Sequence, residues 1–221
     1  MLAIIIPYYK LTFFEATLKS LSNQKDKRFK VYIGDDASPE NPSALLKQFK
    51  GEFDFSYHRF GNNLGSKSLT KQWDRCIALS NNEEWILILG DDDVLGNNVV
   101  EEFYKNLEEI KRESINVIRF STQIIDRENK PVSHVFINPK IEKSTKFLIK
   151  KLNKETRSSL SEYVFRKSEI EKKRFNDLQI GWYADDLAIL KFSDFGKVYT
   201  INNAIISIRY TIESLSGNDS N

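Results

Sequence analysis

The chain has 221 residues, 40% of them hydrophobic and 29% charged, with a formal net charge of +2. That length and apolar content suit a globular domain with a full core and exclude a disordered chain, and the near-neutral charge gives no electrostatic footprint for nucleic acid. The single cysteine, Cys76, excludes an intrachain disulfide and fits a reducing cytoplasm, no apolar run reaches membrane-spanning length, and the opening Met-Leu-Ala-Ile-Ile-Ile-Pro lacks the basic lead of a signal peptide.

In chain order, Leu2–Ile6 is apolar and β-branched and reads as a strand broken by Pro7. Thr12 and Glu15 have capping-box spacing ahead of a helix whose Phe14, Leu18 and Leu21 share one face. Phe29–Gly34 is the next strand and runs into Asp35-Asp36-Ala37-Ser38-Pro39. A short helix over Ser43–Phe49, a strand over Phe53–Arg59 and a turn at Asn62-Asn63-Leu64-Gly65 follow. Leu69, Trp73 and Ile77 mark a helix in which Cys76 is core. Trp85–Leu89 is a buried strand that ends abruptly in Asp91-Asp92-Asp93. Asn98 and Glu101 suggest a cap for a helix with Val100, Phe103, Leu107 and Ile110 as its stripe, and Val117–Phe120 is another strand.

This alternation predicts an α/β fold, a mostly parallel sheet with helices on both faces. The second half is less regular. Asp126–Pro139 reads as a loop or hairpin, Lys143–Asn153 as a basic helix and Ser161–Phe165 as a strand. Ser168 and Glu171 form another capping-box pair, Tyr183–Phe192 reads as a helix, and Val198–Ile201 and Ala204–Arg209 as strands before a frayed tail at Gly217–Asn221. No repeat or linker intervenes, so the expectation is one domain, with a nucleotide-type first half (1–121) and a substrate-shaping second half (122–221).

Strand ends carry the chemistry. Parallel topology brings Tyr8 and Tyr9, Asp35 and Asp36, and Asp91–Asp93 to the carboxyl edge, where open α/β sheets bind ligands. Three carboxylates in a row repel one another and call for a cation, and oxygen ligands of this kind suit Mg²⁺ or Mn²⁺ shared with substrate phosphates. An aromatic face, an acceptor and a metal carboxylate together suit a base, a ribose and a diphosphate. Neither common Gly-rich phosphate loop is present, so a metal would carry the phosphate charge. Plainer readings stand beside these: Asp91–Asp93 as a helix cap, Asp35–Pro39 as an Asx turn, Tyr9 as rim packing, and Asp185-Asp186 as a solvated helix start. Lys67 and Lys71 fit a solvated face, and His58 and His134 are isolated.

In that order the motifs resemble family 2 inverting glycosyltransferases of the GT-A fold, over most of the chain. Ile4-Ile5-Ile6-Pro7-Tyr8-Tyr9 resembles the family's opening strand, and Gly34-Asp35-Asp36-Ala37-Ser38 its second acidic motif. Asn63-Leu64-Gly65 resembles its Asn-x-Gly turn, Leu89–Leu95 its Asp-x-Asp metal motif, and Trp182-Tyr183-Ala184-Asp185-Asp186-Leu187 its late acidic motif. Ile208-Arg209-Tyr210 with Ser214-Leu215-Ser216 resembles its closing segment. The resemblance implies that Tyr9, with Pro7 before it, packs on the nucleotide base and that Asp35 accepts from a uracil N–H. It makes Asp92 the metal carboxylate with Asp93 beside it, Asp186 the catalytic base flanked by Asp185, and Arg209 the family's frequent arginine, on either the diphosphate or a structural acid. The chain departs from the pattern at Gly90, which takes the slot of the first acid so that ribose contact is lost there or shifts to Asp91, and at Lys10, Asp185 and Thr211.

The function expected on this basis is metal-assisted transfer of a sugar from a nucleotide donor, a UDP sugar, to a hydroxyl of a glycan or lipid-linked saccharide in bacterial surface-polysaccharide synthesis. The alternatives are a non-catalytic nucleotide-sugar-binding protein and a sugar nucleotidyltransferase. The latter would carry a Gly-rich basic loop where Tyr8-Tyr9-Lys10-Leu11 stands. Lys143, Lys146, Lys150, Lys151 and Lys154 run among Ile141, Phe147, Leu148 and Leu152, a pattern of either a surface helix or a peripheral contact with the inner face of the cell membrane.

Overall fold

The computed structural model describes residues 1–178 and 183–211. Its centre is β1 (Leu2–Tyr8), whose alternating side chains serve two cores. Leu2, Ile4, Ile6 and Tyr8 face one side, and Ala3 and Ile5 the other. Burial on both faces is what a strand inside a helix-covered parallel sheet requires, and it explains the unbroken apolar run. β1 pairs in parallel with β2 (Phe29–Asp35), from Leu2 opposite Phe29 to Tyr8 opposite Asp35, and with β4 (Trp85–Ile88) on its other side. β3 (Asp54–Arg59) adds in parallel to β2.

On the first face lie α1 (Phe14–Ser22) and α4 (Val99–Arg112), which bury Phe14, Leu18 and Leu21, and Val99, Val100, Phe103 and Ile110. The short α2 (Ser43–Gln48) contributes Leu46 to the same core. The second face is covered by α3 (Leu69–Ile77) through Cys76 and Ile77, by α5 (Ser144–Leu152) through Phe147, and by α6 (Lys167–Lys173) through Ile170. Ala188, Ile189 and Phe192 of α7 (Ala184–Phe192) complete it.

Beyond β4 the sheet becomes mixed. β8 (Tyr163–Arg166) runs antiparallel to both β4 and β6 (Val117–Ile125), and β9 (Lys197–Arg209) runs parallel to β6. Two strands not anticipated from sequence, β5 (Val94–Leu95) and β7 (Ile141–Lys143), pair antiparallel with β9. The two strands expected at 198–201 and 204–209 are one. β9 continues through a register shift in which Phe120 faces Ile201 and Ser121 faces Ile205. The extra residues are held because Asn202 accepts from Ser121 Oγ at 2.8 Å and donates to Asn138 O at 2.8 Å.

The expected caps do not form. α1, α4 and α6 begin after Phe13, Asn98 and Arg166, without side-chain capping bonds. Asn98 instead donates to Asn203 O at 2.9 Å, and Thr12 lines a cavity, so tertiary partners have taken residues that the local pattern assigned to helix starts. Ser68 is the cap of α3, accepting from Lys71 N at 3.2 Å, and Ser159 with Glu162 makes a capping box on the 3₁₀ turn Leu160–Glu162.

The order β3-β2-β1-β4 carries the chain outward from β1 in one direction and then returns it to β1's other side. The carboxyl ends of β1 and β4 therefore flank a topological switch point, where backbone groups open a crevice.

Candidate active site

A cavity of about 470 Å³, within the usual range for small-ligand sites, occupies this crevice. Pro7, Tyr9 and Lys10 from the end of β1, Asp36 after β2, and Gly90–Asp93 after β4 form its base. Leu69, Gln72 and Trp73 of α3, the Asn63–Gly65 turn, Ser159–Ser161, and Ile208 and Arg209 of β9 form its walls.

Asp35, the last residue of β2, and Asp36, just after it, engage different partners. Asp35 is fully buried and does not line the cavity. Its Oδ1 accepts from Ser38 N at 2.8 Å, and its Oδ2 accepts from Tyr57 Oη at 2.5 Å and Arg59 Nη1 at 2.7 Å. It ties the strand end to β3, away from the residues that line the cavity. Asp36 is the residue that reaches the cavity. Its carboxylate accepts from Leu64 N at 2.7 Å, Gly65 N at 2.8 Å and the Arg75 guanidinium, which lies 3.9 Å over the Phe60 ring. Gly65 permits this approach, since a Cβ there would stand 2.6 Å from Asp36 Oδ2.

The acidic tip is divided in function. Asp91 Oδ2 accepts from the backbone N–H groups of Tyr9 at 2.7 Å and Lys10 at 2.8 Å, locking the loop after β1. Burial pushes its carboxyl up to about 6 despite those donors. Asp93 is buried, and its Oδ1 accepts from Arg209 N at 2.9 Å. Thr17 Oγ1 donates to the Asp93 carbonyl at 2.8 Å, and Ser161 Oγ accepts from Gly90 N at 3.0 Å, so the tip is fixed from both sides. Asp92 is partly exposed in the cavity. Desolvation, and then the charges of Asp93 and Asp91, push its carboxyl up to about 8.

Gly90 shows why an acid is missing from its position. A Cβ there would lie 2.9 Å from both Asp92 Oδ1 and Asp93 Oδ2, so these two oxygens converge over the bare α-carbon. Among the described residues no cluster of three His, Cys, Asp or Glu side chains could form a metal cage. Two converging carboxylate oxygens whose proton affinities are raised chiefly by burial instead fit a hard divalent cation that completes its shell with phosphates and water.

Arg209 is a strut. Its Nε donates to Asp92 O at 2.9 Å, its other N–H groups reach Asp126 O and Asn129 Oδ1, and its guanidinium lies 4.2 Å from the Phe13 ring centre. It thereby holds the Asp126–Asn129 turn against the acidic tip.

The α7 carboxylates are not brought into the cavity. Asp186 is 3% exposed, and both its oxygens accept from Lys151 Nζ, at 2.7 and 2.6 Å. Burial, then the neighbouring Asp185, raises its carboxyl above the ordinary range. Asp185, in the same first turn, is partly exposed, and its charge is felt by buried Glu162, next to Ser161. Trp182 of the late motif and Ser214-Leu215-Ser216 lie outside the described residues, as does the tail from 217. Trp73, Leu160 and Ser161 were not picked out for the site from sequence. Their helix and turn patterns read as ordinary core and strand, and nothing local marks them.

Residues 3–175 match the model for glycosyl transferase family 2. The chain belongs to this family. Among solved structures, it is similar to S. aureus TarS 1-349 in complex with UDP-GlcNAc, with a TM-score of 0.76 and 13% identity over 100% of this chain and 61% of that one. GalNAc-T7 with UDP, GalNAc and Mn²⁺ gives a TM-score of 0.70 at 10% identity over 96% of this chain and 44% of the other. The mannosyltransferase PcManGT from Pyrobaculum calidifontis with GDP-Man and Mn²⁺ gives 0.67 at 9% over 96% and 58%. No curated protein sequence gives a significant match. The chain thus has the GT-A fold and spans less than two thirds of the length of these structures.

Proposed function

We propose that this chain is the catalytic domain of an inverting glycosyltransferase that moves one sugar from a nucleotide donor, a UDP sugar, to a hydroxyl of a glycan or lipid-linked saccharide. The observation that carries the reading is the row Tyr9, Asp36 and Asp92 along one cavity at the β1/β4 switch point. The Tyr9 ring, 38% exposed, offers a face to the base. Asp36 Oδ2, held by one N–H, keeps lone-pair capacity for a base N–H. The convergent oxygens of Asp92 and Asp93 suit Mg²⁺ or Mn²⁺. When bound, that cation neutralises charge on the departing diphosphate. TarS, GalNAc-T7 and PcManGT, solved with UDP-GlcNAc, with UDP and Mn²⁺, and with GDP-Man and Mn²⁺, support both the donor class and the metal.

In the reaction, an acceptor hydroxyl attacks the anomeric carbon from the face opposite the diphosphate. The new glycosidic bond forms as the carbon–phosphate oxygen bond breaks, and a carboxylate takes the hydroxyl proton. We assign this base to the Asp185–Asp186 pair, in the role that the family resemblance gives to Asp186. For Asp186 to act, its bonds to Lys151 must open, because both oxygens are engaged; Asp185 needs no such release. Lys10, Arg209 and the loop held by Asp91 supply position and positive charge around the leaving group.

The test is calorimetric titration of UDP and GDP with and without Mn²⁺ on wild type and Asp92→Asn, followed by transfer assays that read the product's anomeric configuration. Metal-dependent UDP binding that is lost in Asp92→Asn, with an inverted product, is the expected result. Absence of nucleotide binding refutes the assignment. A second reading, nucleotide-sugar binding without turnover, rests on the α7 carboxylates not being among the described residues that line the cavity; tight donor binding with no transfer or donor hydrolysis would favour it.

A further inference from the structure

The solvent face of α5 carries a pattern that the active site does not use. The expected basic helix is present, but its lysines divide into two sets. Lys150 and Lys151 turn inward, to buried Glu142 at 2.5 Å and to Asp186. Lys146, Ile149 and Leu152, spaced three residues apart, form the exposed ridge, with Ile149 59% and Leu152 64% exposed. Lys143 and Lys154 stand exposed at its two ends, and the structure gives none of these three lysines an acidic partner among the described residues. The turn before β9 lies against the start of the helix through Ser144 N to Gly196 O at 2.8 Å, and it presents Phe195, 59% exposed.

We propose that this face docks the protein on an anionic lipid bilayer. Single exposed apolar side chains need no explanation, but two of them interleaved with cations along one exposed helix face, with exposed Phe195 on the turn beside the helix start, match the composition of interfacial helices. The lysines complement an anionic leaflet, and the apolar side chains enter the boundary beneath the headgroups. An acidic protein would answer the lysines alone, whereas a bilayer answers both the lysines and the exposed apolar side chains between them. The contact is peripheral: among the described residues no helix is long and apolar enough to cross a membrane. The inference is independent of the sugar-transfer reading, because vesicle binding requires neither donor nor acceptor.

The experiment is flotation of the full chain with vesicles of phosphatidylglycerol and phosphatidylcholine, against phosphatidylcholine alone, at physiological salt. Retention on the anionic vesicles only is expected. The triple variant Lys143→Ser, Lys146→Ser, Lys154→Ser should lower partitioning by about a hundredfold, taking about fivefold for each lysine. Ile149→Ser with Leu152→Ser should lower it by at least tenfold. Both variants change exposed residues, and unchanged far-UV dichroism verifies that they fold. No retention on anionic vesicles overturns the proposal. Retention unaffected by either variant, or capture by an acidic polypeptide without vesicle binding, also overturns it.

Discussion

Asp92 should make metal binding steeply dependent on pH. Its carboxyl sits at about 8 because burial and two neighbouring carboxylates penalise its charge. A cation must displace that proton, so observed affinity scales with the ionised fraction. That fraction is about 1% at pH 6, about 10% at pH 7 and about half at pH 8, which predicts roughly a fiftyfold gain in Mn²⁺ affinity from pH 6 to 8. Calorimetry in buffers of different ionisation enthalpy should detect about one proton released per metal bound at pH 6 to 7, declining above pH 8. Asp92→Asn should flatten the slope and diminish the release, leaving only what Asp93 contributes. The same shift acts on stability. A folded-state value above the unfolded one means that the folded chain binds more protons between about pH 4 and 8, so stability contributed by the protonated carboxyl is lost as pH rises through that window. Saturating Mn²⁺ should restore the melting temperature at pH 8. A flat affinity profile without proton release would refute the electrostatic account of the acidic tip.

Gly90→Asp, which recreates the family's first acid, should weaken Mn²⁺ binding instead of strengthening it, and should cost about 1–3 kcal/mol in urea unfolding because its Cβ overlaps two carboxylate oxygens. Gly65→Ala should separate the Asn63–Gly65 turn from Asp36, costing about 2 kcal/mol from weakened charge-assisted bonds and raising the Kd for UDP, which a thermal-shift titration would read. Lys151→Met should destabilise the fold by about 3–5 kcal/mol at pH 8 by leaving the Asp186 charge buried without its partner, and Lys151→Met with Asp186→Leu should recover most of that loss. Asp186→Asn and Asp185→Asn, assayed separately for transfer with UDP binding as the control, should identify the base by which one removes turnover while leaving binding intact.

The sequence by itself determined the sheet's first half and the family. Strand runs such as Leu2–Ile6 and Trp85–Leu89 are apolar at every position because both faces are covered, and that signal is local. The acidic motifs at strand ends follow from the same topology, which places Tyr9 and Asp91–Asp93 on one edge before any contact is known. What only tertiary structure decided is how the members of each acidic cluster divide between structural bonds and the cavity. Asp35 and Asp36 are chemically identical neighbours at and just past the end of β2, and one bonds Tyr57 and Arg59 while the other lines the cavity. Asp91 accepts from N–H groups of the loop after β1 and Asp93 from an N–H of β9, segments far away in sequence, while no such N–H engages the Asp92 carboxylate among the described residues, although all three line the cavity. Residues with the same charge and nearly the same local sequence differ here because long-range partners arrive on one side chain and not the next, and a linear pattern holds no record of those partners.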